Sequence, residues 1–430
     1  MQSRFNSFQR TMLSWNDLHP YSAIHVARVA EPLDLERIHE AINSTLERRG
    51  LTGVEIDRRR SSYRYVREAP PCSVEILTPG ADPHRELVEF VGEQLNTPFD
   101  SSGPFCPIRF FAMPVEDGFW FGLVYFHAVA DAVSIVYLLR ELVHVYTVRA
   151  APDTDPPNLY PPRFDNLLRH QPRVLARKIM GLPAAIRSAR RSCRPRYENP
   201  HDATLGYKLL TLQPARLRDL LRTSKAWKVT LNDLFMALLL KVVSGLSGDR
   251  ADHRRRKLAA GCIVNLRHSH GLEGDDQFGL FLGSFNVSHD VRADTELKSL
   301  ALAVCEQTRR IKQKRLSLAF PFDLAVARVF HRFLSLERRR KFYQKNRPLW
   351  GGITNMNLNS IPTQPGEVPP ADYFRAVATG PATPLVLSIT TFGEFAHIGI
   401  SYRTTVYSEP MIGEFQTRFA AEMAKCAIPS

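Results

Sequence analysis

Apolar positions along this chain follow two rhythms, one of three to four residues and one of two, and the two alternate from end to end. From 33 to 49, Leu35, Ile38, Ala41, Ile42 and Leu46 recur every three or four positions and Gly50 stands as a stop, which predicts an amphipathic helix. VEI (54–56) and YRYV (63–66) alternate as a hairpin does. PIRFFAMPVEDGFWFGLVYF (107–126) predicts two strands joined at an Asp-Gly turn, the second apolar enough to be buried on both faces. Val133, Ile135, Val136, Leu138, Leu139, Leu142 and Val143 then mark a helix to about Tyr146.

Between Ala150 and Pro162 the prolines stop any helix and mark the best boundary, and the basic stretch after it is expected to be a crossing linker with short helices. Strand patterns follow at 207–213, 257–266, 281–290, 351–358, 384–392 and 397–403. Helical patterns run over 230–243, opened by a Thr or Asn cap, and at about 294–315 and 409–425. The expectation is an α/β protein in two halves, each with its own sheet: residues 1–160, a basic linker at 161–204, and residues 205–430.

At 430 residues with 44% hydrophobic and 23% charged side chains, the chain can bury enough apolar surface to fold, so wholesale disorder is excluded. No apolar run approaches the roughly 20 residues a bilayer crossing needs. The N-terminus MQSRFNSFQRTML carries Arg4 and Arg10 and lacks the apolar core of a secretory signal. Six cysteines (Cys72, Cys106, Cys193, Cys262, Cys305, Cys426) are scattered with no CxxC and no zinc-like spacing, a pattern that suits a reducing cytoplasm and no metal site.

Charge adds a further expectation. The net charge is +14, and between Arg163 and Arg196 stand ten Lys or Arg against one acid, Asp165. Shorter basic runs lie at 254–257, 309–315 and 338–341. These are either solvated faces or a docking surface for nucleic acid, a membrane, a phosphorylated cofactor or an acidic carrier protein. No zinc finger or RNP-type aromatic strand accompanies them, which argues against nucleic acid.

The residues most suggestive of chemistry are YFHAVADAVS, where His127 follows the buried strand and Asp131 sits four positions on, just before a helix. A histidine at a strand end can face a cleft, and an imidazole suits proton abstraction near neutrality. The spacing alone leaves a structural histidine open: with 14 histidines and aspartate at about 5% of residues, chance gives about 0.7 such matches. A developing oxyanion also needs donors, and ITNMNLNS (353–360) offers Asn355, Asn357 and Ser360, although asparagines at strand ends also make turns.

Strand, HxxxD and helix in this order resemble the HxxxD acyltransferase superfamily, which includes chloramphenicol acetyltransferase, condensation domains and polyketide-associated acyltransferases. LDLERIHEAINSTLERRG resembles the opening helix of condensation domains, VTLNDLFMALLL the helix that begins the family's second half, IVNLR its Val-Asn-x-Arg strand and FGLFLGSF the Gly-Asn-Phe segment after it. Phe126 and Ala132 replace the first histidine and the glycine of the HHxxxDG form. The Asp-Phe-Gly-Trp-Gly motif of the plant branch is missing, with Thr391-Phe392-Gly393-Glu394 a faint echo, so the resemblance is nearer the bacterial condensation-like branch.

The resemblance implies two chloramphenicol-acetyltransferase-like subdomains, each a mixed sheet with helices, forming a V with a tunnel at their interface. It implies His127 as general base, and Asp131 as the residue that orients its loop through an arginine. Arg267 matches one arginine used in the superfamily; the position of the alternative is held here by Thr52. It further implies no bound cofactor, with acyl-CoA or an acyl-phosphopantetheine carrier protein as co-substrate and a small-molecule alcohol or amine as acceptor. The donor would dock on the surplus at 163–196 and on Arg254, Arg255 and Arg256. The alternative is a catalytically retired condensation-like module that only binds a carrier protein.

Overall fold

The computed structural model describes residues 2–426 apart from 70–71, 151–154, 162–171, 249–254, 273–275, 293, 332–333, 347 and 363–367. The chain opens with a short strand, β1 (Ser3–Arg4), and a helix, α1 (Ser7–Asn16), whose Asn6 cap and Gln9 exchange hydrogen bonds as a capping box. Then come β2 (Ser22–Val29), α2 (Leu35–Arg49), the hairpin β3 (Gly53–Asp57) and β4 (Ser62–Val66), β5 (Val74–Ile76), α3 (Pro83–Gln94), β6 (Ile108–Val115), β7 (Gly118–Phe126) and α4 (Ala132–Val148). The helix expected at 33–49 starts where the Asp34 carboxylate accepts the Arg37 amide, and it ends at Gly50 with φ 68°, a left-handed conformation that costs glycine little. The β6–β7 loop sits one residue earlier than expected: Val115 pairs with Gly118, so Glu116 and Asp117 turn and Gly118 is already strand. Gly118 is needed for a close approach, since a Cβ there would lie 2.0 Å from the Val29 carbonyl oxygen.

The remainder contains α5 (Pro172–Arg191), β8 (Leu205–Leu212), α6 (Pro214–Ala226), α7 (Leu231–Leu246), β9 (Lys257–Asn265), β10 (Leu282–Asp290), α8 (Leu297–Gln313), α9 (Phe320–His331), α10 (Leu336–Asn346), β11 (Gly351–Asn357), β12 (Asp372–Val377), β13 (Leu385–Phe392), β14 (Phe395–Arg403) and α11 (Glu409–Ala424). The stretch expected to be a linker with short helices contains instead one helix of 20 residues, α5, while Arg163 and Arg169 lie outside the described residues. Thr230 caps α7 through a reciprocal bond with Asp233. Helix α7 is apolar almost all round because it packs against α6, α8 and α11 at once.

The fold is α/β, and the chain forms two compact units, one of Met1–Asp165, Asn265–Leu282 and Asn357–Ala378, the other of Asn166–Val264, Gly283–Met356 and Thr379–Ser430. The first holds a five-stranded sheet in the order β12-β2-β7-β6-β5 and a small β1-β4-β3 sheet; the second holds a six-stranded sheet in the order β10-β9-β11-β13-β14-β8. Both larger sheets mix parallel and antiparallel pairs. The expected division at 205 needs correction, because two later segments return to the first unit. Strand β12 runs antiparallel to β2 from Asp372↔Arg28 to Val377↔Ala23, and so satisfies the backbone groups that an uncovered β2 edge would leave open.

The cysteine expectation also changes. Cys72 and Cys106 form a disulfide. They precede β5 and β6, which pair in parallel, so the approaches to the two strands lie side by side. Cys193, Cys262, Cys305 and Cys426 are free thiols. Among the described residues no single helix is long and apolar enough to cross a membrane.

Candidate active site

Strand β7 is buried along its whole length because it lies between β2 and β6 with helices on its faces: α4 packs on β2, and Phe90 of α3 packs edge-on against Phe111. Its end delivers His127 into a turn, where the backbone amide of His127 donates to the Tyr21 carbonyl at 3.3 Å. The imidazole is 6% exposed, stacked parallel to the Tyr21 ring at 5.6 Å and met edge-on by Tyr125 at 5.3 Å. Its Nδ1 lies 2.9 Å from the Ala130 carbonyl oxygen. A carbonyl only accepts, so Nδ1 carries the proton and Nε2 keeps its lone pair, with no partner among the described residues. Burial lowers the His127 pKa below its ordinary value, against the Ala130 bond and the Asp131 charge that raise it, and the buried Arg375 cation lowers it further. The ring is therefore held neutral, in one tautomer.

Asp131 is fully buried and every side of its carboxylate is occupied. One oxygen caps α4 by accepting the Ser134 amide at 3.0 Å; the other accepts Arg267 at 2.5 Å and the Phe281 amide at 2.9 Å. The Asp131 amide donates to the Gly279 carbonyl, and Arg267 also donates to the Ser134 hydroxyl at 2.8 Å. Arg267 is itself buried, its guanidinium 4.3 Å from the centre of the Phe281 ring. These bonds tie the turn after β7 to 265–282, the segment that returns to this unit, and they leave Asp131 no free oxygen for proton transfer. Thr52, at the other arginine position, donates to the Val66 carbonyl instead.

Sequence reasoning missed a polar cluster beside His127. Register places Tyr125 of β7, His25 of β2, and Tyr373 and Arg375 of β12 on one sheet face, because alternate and directly opposed residues share a face. His25 Nδ1 shares a hydrogen bond of 2.6 Å with the Tyr373 hydroxyl. The His25 Nε2 and the Tyr125 hydroxyl are buried and bond to no described residue. The available signal was SAIHVARV (22–29), an apolar, β-branched run that His25 and Arg28 interrupt; DYFRAV (372–377) is shorter and mixed, and β2 and β12 were both overlooked.

His25 is held well below its ordinary pKa by burial first, then by Arg375 and His127. Both histidines thus titrate lower in the folded protein than the 6.5 of a free imidazole. Below that value the unfolded chain binds the more protons, so folding stability is fully present above 6.5 and is lost as pH falls toward the depressed folded values. Urea midpoints are expected to hold steady above neutrality and drop on acidification through this window, less steeply in His25→Gln. A wild-type midpoint that does not move there contradicts the assignment.

The remaining sequence candidates are placed differently. Asn355 is exposed on β11. Asn357 accepts the Asn359 amide and Ser360 donates to the Asn357 carbonyl, so both side chains close a local turn. Arg255 is half-buried and Arg256 exposed, while Arg254 lies outside the described residues. Arg255 stands near Arg194, whose pKa falls through burial and then through that like charge. Among the described residues no group of His, Cys, Asp and Glu could hold a metal ion.

No protein-family model matches this sequence, and no curated protein does. Solved structures match it along its length. The first condensation domain of the calcium-dependent antibiotic synthetase, in complex with substrate analogue 2a, superposes with TM-score 0.71 at 15% identity, over 99% of this chain and 97% of that one. This chain has the condensation-domain fold. Two further structures agree. The cyclization-docking bidomain of EpoB, a nonribosomal peptide synthetase from Sorangium cellulosum, gives TM-score 0.69 at 12% identity, covering 100% of this chain and 86% of that one. The condensation domain of the monacolin K polyketide synthase MokA gives 0.67 at 12% identity, covering 99% and 97%. What is shared at these identities is the path of the backbone. Within that fold, Phe126 packs edge-on against Phe99 and Phe105 as part of the core, and Ala132 is the first residue of α4.

Proposed function

We propose that the protein is a condensation-like acyltransferase that moves an acyl group from a phosphopantetheine or coenzyme A thioester to a hydroxyl or amine, forming an ester or amide. The reading rests on one observation: His127 is pinned through Nδ1 to the Ala130 carbonyl, which leaves a neutral Nε2 on a loop that Asp131 and Arg267 hold from behind. Nε2 takes the proton of the acceptor as its oxygen or nitrogen attacks the thioester carbonyl. The tetrahedral intermediate collapses with cleavage of the carbon–sulfur bond, and the thiolate leaves with that proton. A thiol leaves readily, so no covalent enzyme intermediate is needed, and placing both substrates together supplies much of the acceleration. The acidic or phosphorylated donor is read as docking at Arg255 and Arg256.

The test is intact-mass analysis of small acceptors and of carrier proteins after incubation with acyl thioesters, once with acyl-CoA and once with acyl-loaded carrier protein. Acyl addition that needs the purified protein is expected, with an acid limb of the rate profile below the ordinary imidazole value because His127 must be neutral. Carrier binding without turnover across all acceptors would assign the chain to a binding role.

A further inference from the structure

We infer that α5 is a peripheral membrane-binding helix that lies flat on an anionic lipid surface. Its 20 residues span about 30 Å, and they include six Lys or Arg and no acid. Lys178 is anchored to Asp323 of α9 at 2.6 Å, and Ser188 bonds Ser288. The other five, Arg173, Arg177, Arg187, Arg190 and Arg191, have no partner among the described residues. Of all twenty side chains only Val174 is buried.

Beside the arginines runs an apolar stripe at helical spacing, Leu175, Ile179, Leu182 and Ile186. Ile179 is 49% exposed and Ile186 52%, and Met180, nearer the arginines, is 73% exposed. In α9, which Asp323 joins to the anchored helix, Val326 and Val329 are likewise exposed, at 41% and 62%. Single exposed aliphatic residues are ordinary on a protein surface. A stripe of aliphatic residues at helical spacing alongside unneutralised arginines is the composition of helices that rest in a headgroup layer, their aliphatic side entering the acyl boundary and their guanidinium groups meeting lipid phosphates. Leu175 and Leu182 are half-buried at the foot of the stripe, and Ile179, Met180 and Ile186 project from it beside guanidinium groups that an anionic surface would neutralise.

Co-sedimentation of the full chain with vesicles tests this, using phosphatidylcholine alone and phosphatidylcholine mixed with phosphatidylglycerol. Binding to the anionic vesicles at low ionic strength is expected, weakening as salt is added. Replacing Arg173, Arg177, Arg187 and Arg191 by Gln is expected to lower partitioning about fivefold per residue, and Ile179→Asp or Ile186→Asp about tenfold each. Arg59→Gln, an exposed arginine of the other unit, is expected to change partitioning little. Absence of wild-type binding to anionic vesicles at low salt overturns the inference, and this result needs no variant to fold. Undiminished binding by the arginine variant, or equal binding to neutral vesicles, overturns it as well. Saturable binding to an acidic carrier protein that the same substitutions abolish, without vesicle binding, assigns α5 to a protein partner and also overturns it.

Discussion

His127→Ala is expected to lower acyl transfer by about two to four orders of magnitude, the usual contribution of a positioned general base. The basis is geometric. The ring is stacked on Tyr21 and met edge-on by Tyr125, its tautomer is set by a carbonyl that can only accept, and burial favours its uncharged form. Removing it leaves substrate placement in force, so a slow residual reaction should persist, without the acid limb that His127 imposes on the rate profile. The substitution removes one stacked ring from a turn held mainly by Asp131, so the thermal midpoint should fall only modestly. Equal turnover by wild type and variant in the same thioester assay would end the proposed mechanism.

Arg267→Ala is expected to destabilise the protein by about 3–5 kcal/mol, because it leaves the Asp131 carboxylate buried without its counter-charge. Asp131→Asn should cost a comparable amount by the opposite route: the amide oxygen can still cap α4, but Arg267 is then the unpaired charge. The double variant should lose clearly less than the two single losses together, since no isolated charge remains. It should stay below wild type by about 1 kcal/mol or more, because the charge-assisted bond to the Phe281 amide is weakened as well. Chemical denaturation of all four proteins measures this cycle. Single variants within about 0.5 kcal/mol of wild type would mean that the pair behaves as an exposed one. Under the proposed mechanism acyl transfer should follow the same order, since Asp131 would act by holding the loop that presents His127.

The candidate site was legible in part. His127, Asp131 and Arg267 were all singled out from strand, spacing and family likeness, and the last two are bonded although 136 residues apart. Asn357 and Ser360 were candidates for oxyanion donors because their composition suits that role, but each also suits a turn, and local hydrogen bonds took precedence. The cluster of His25, Tyr125, Tyr373 and Arg375 could not be read from spacing, because His25 and Tyr373 are 348 positions apart and meet only through strand register.

The sequence by itself determined what depends on neighbours within a few residues: the periodicity of α2 and α4, the cap at Thr230, the stop at Gly50 and the doubly buried character of β7. Only the tertiary structure decided which strand covers the edge of β2, which cysteines join, and how α5 is turned on the second unit. Short-range patterns constrain the conformation of a segment. The choice of partner depends on which distant groups must satisfy each other's hydrogen bonds and charge once water is excluded, and no local window contains both halves of that choice.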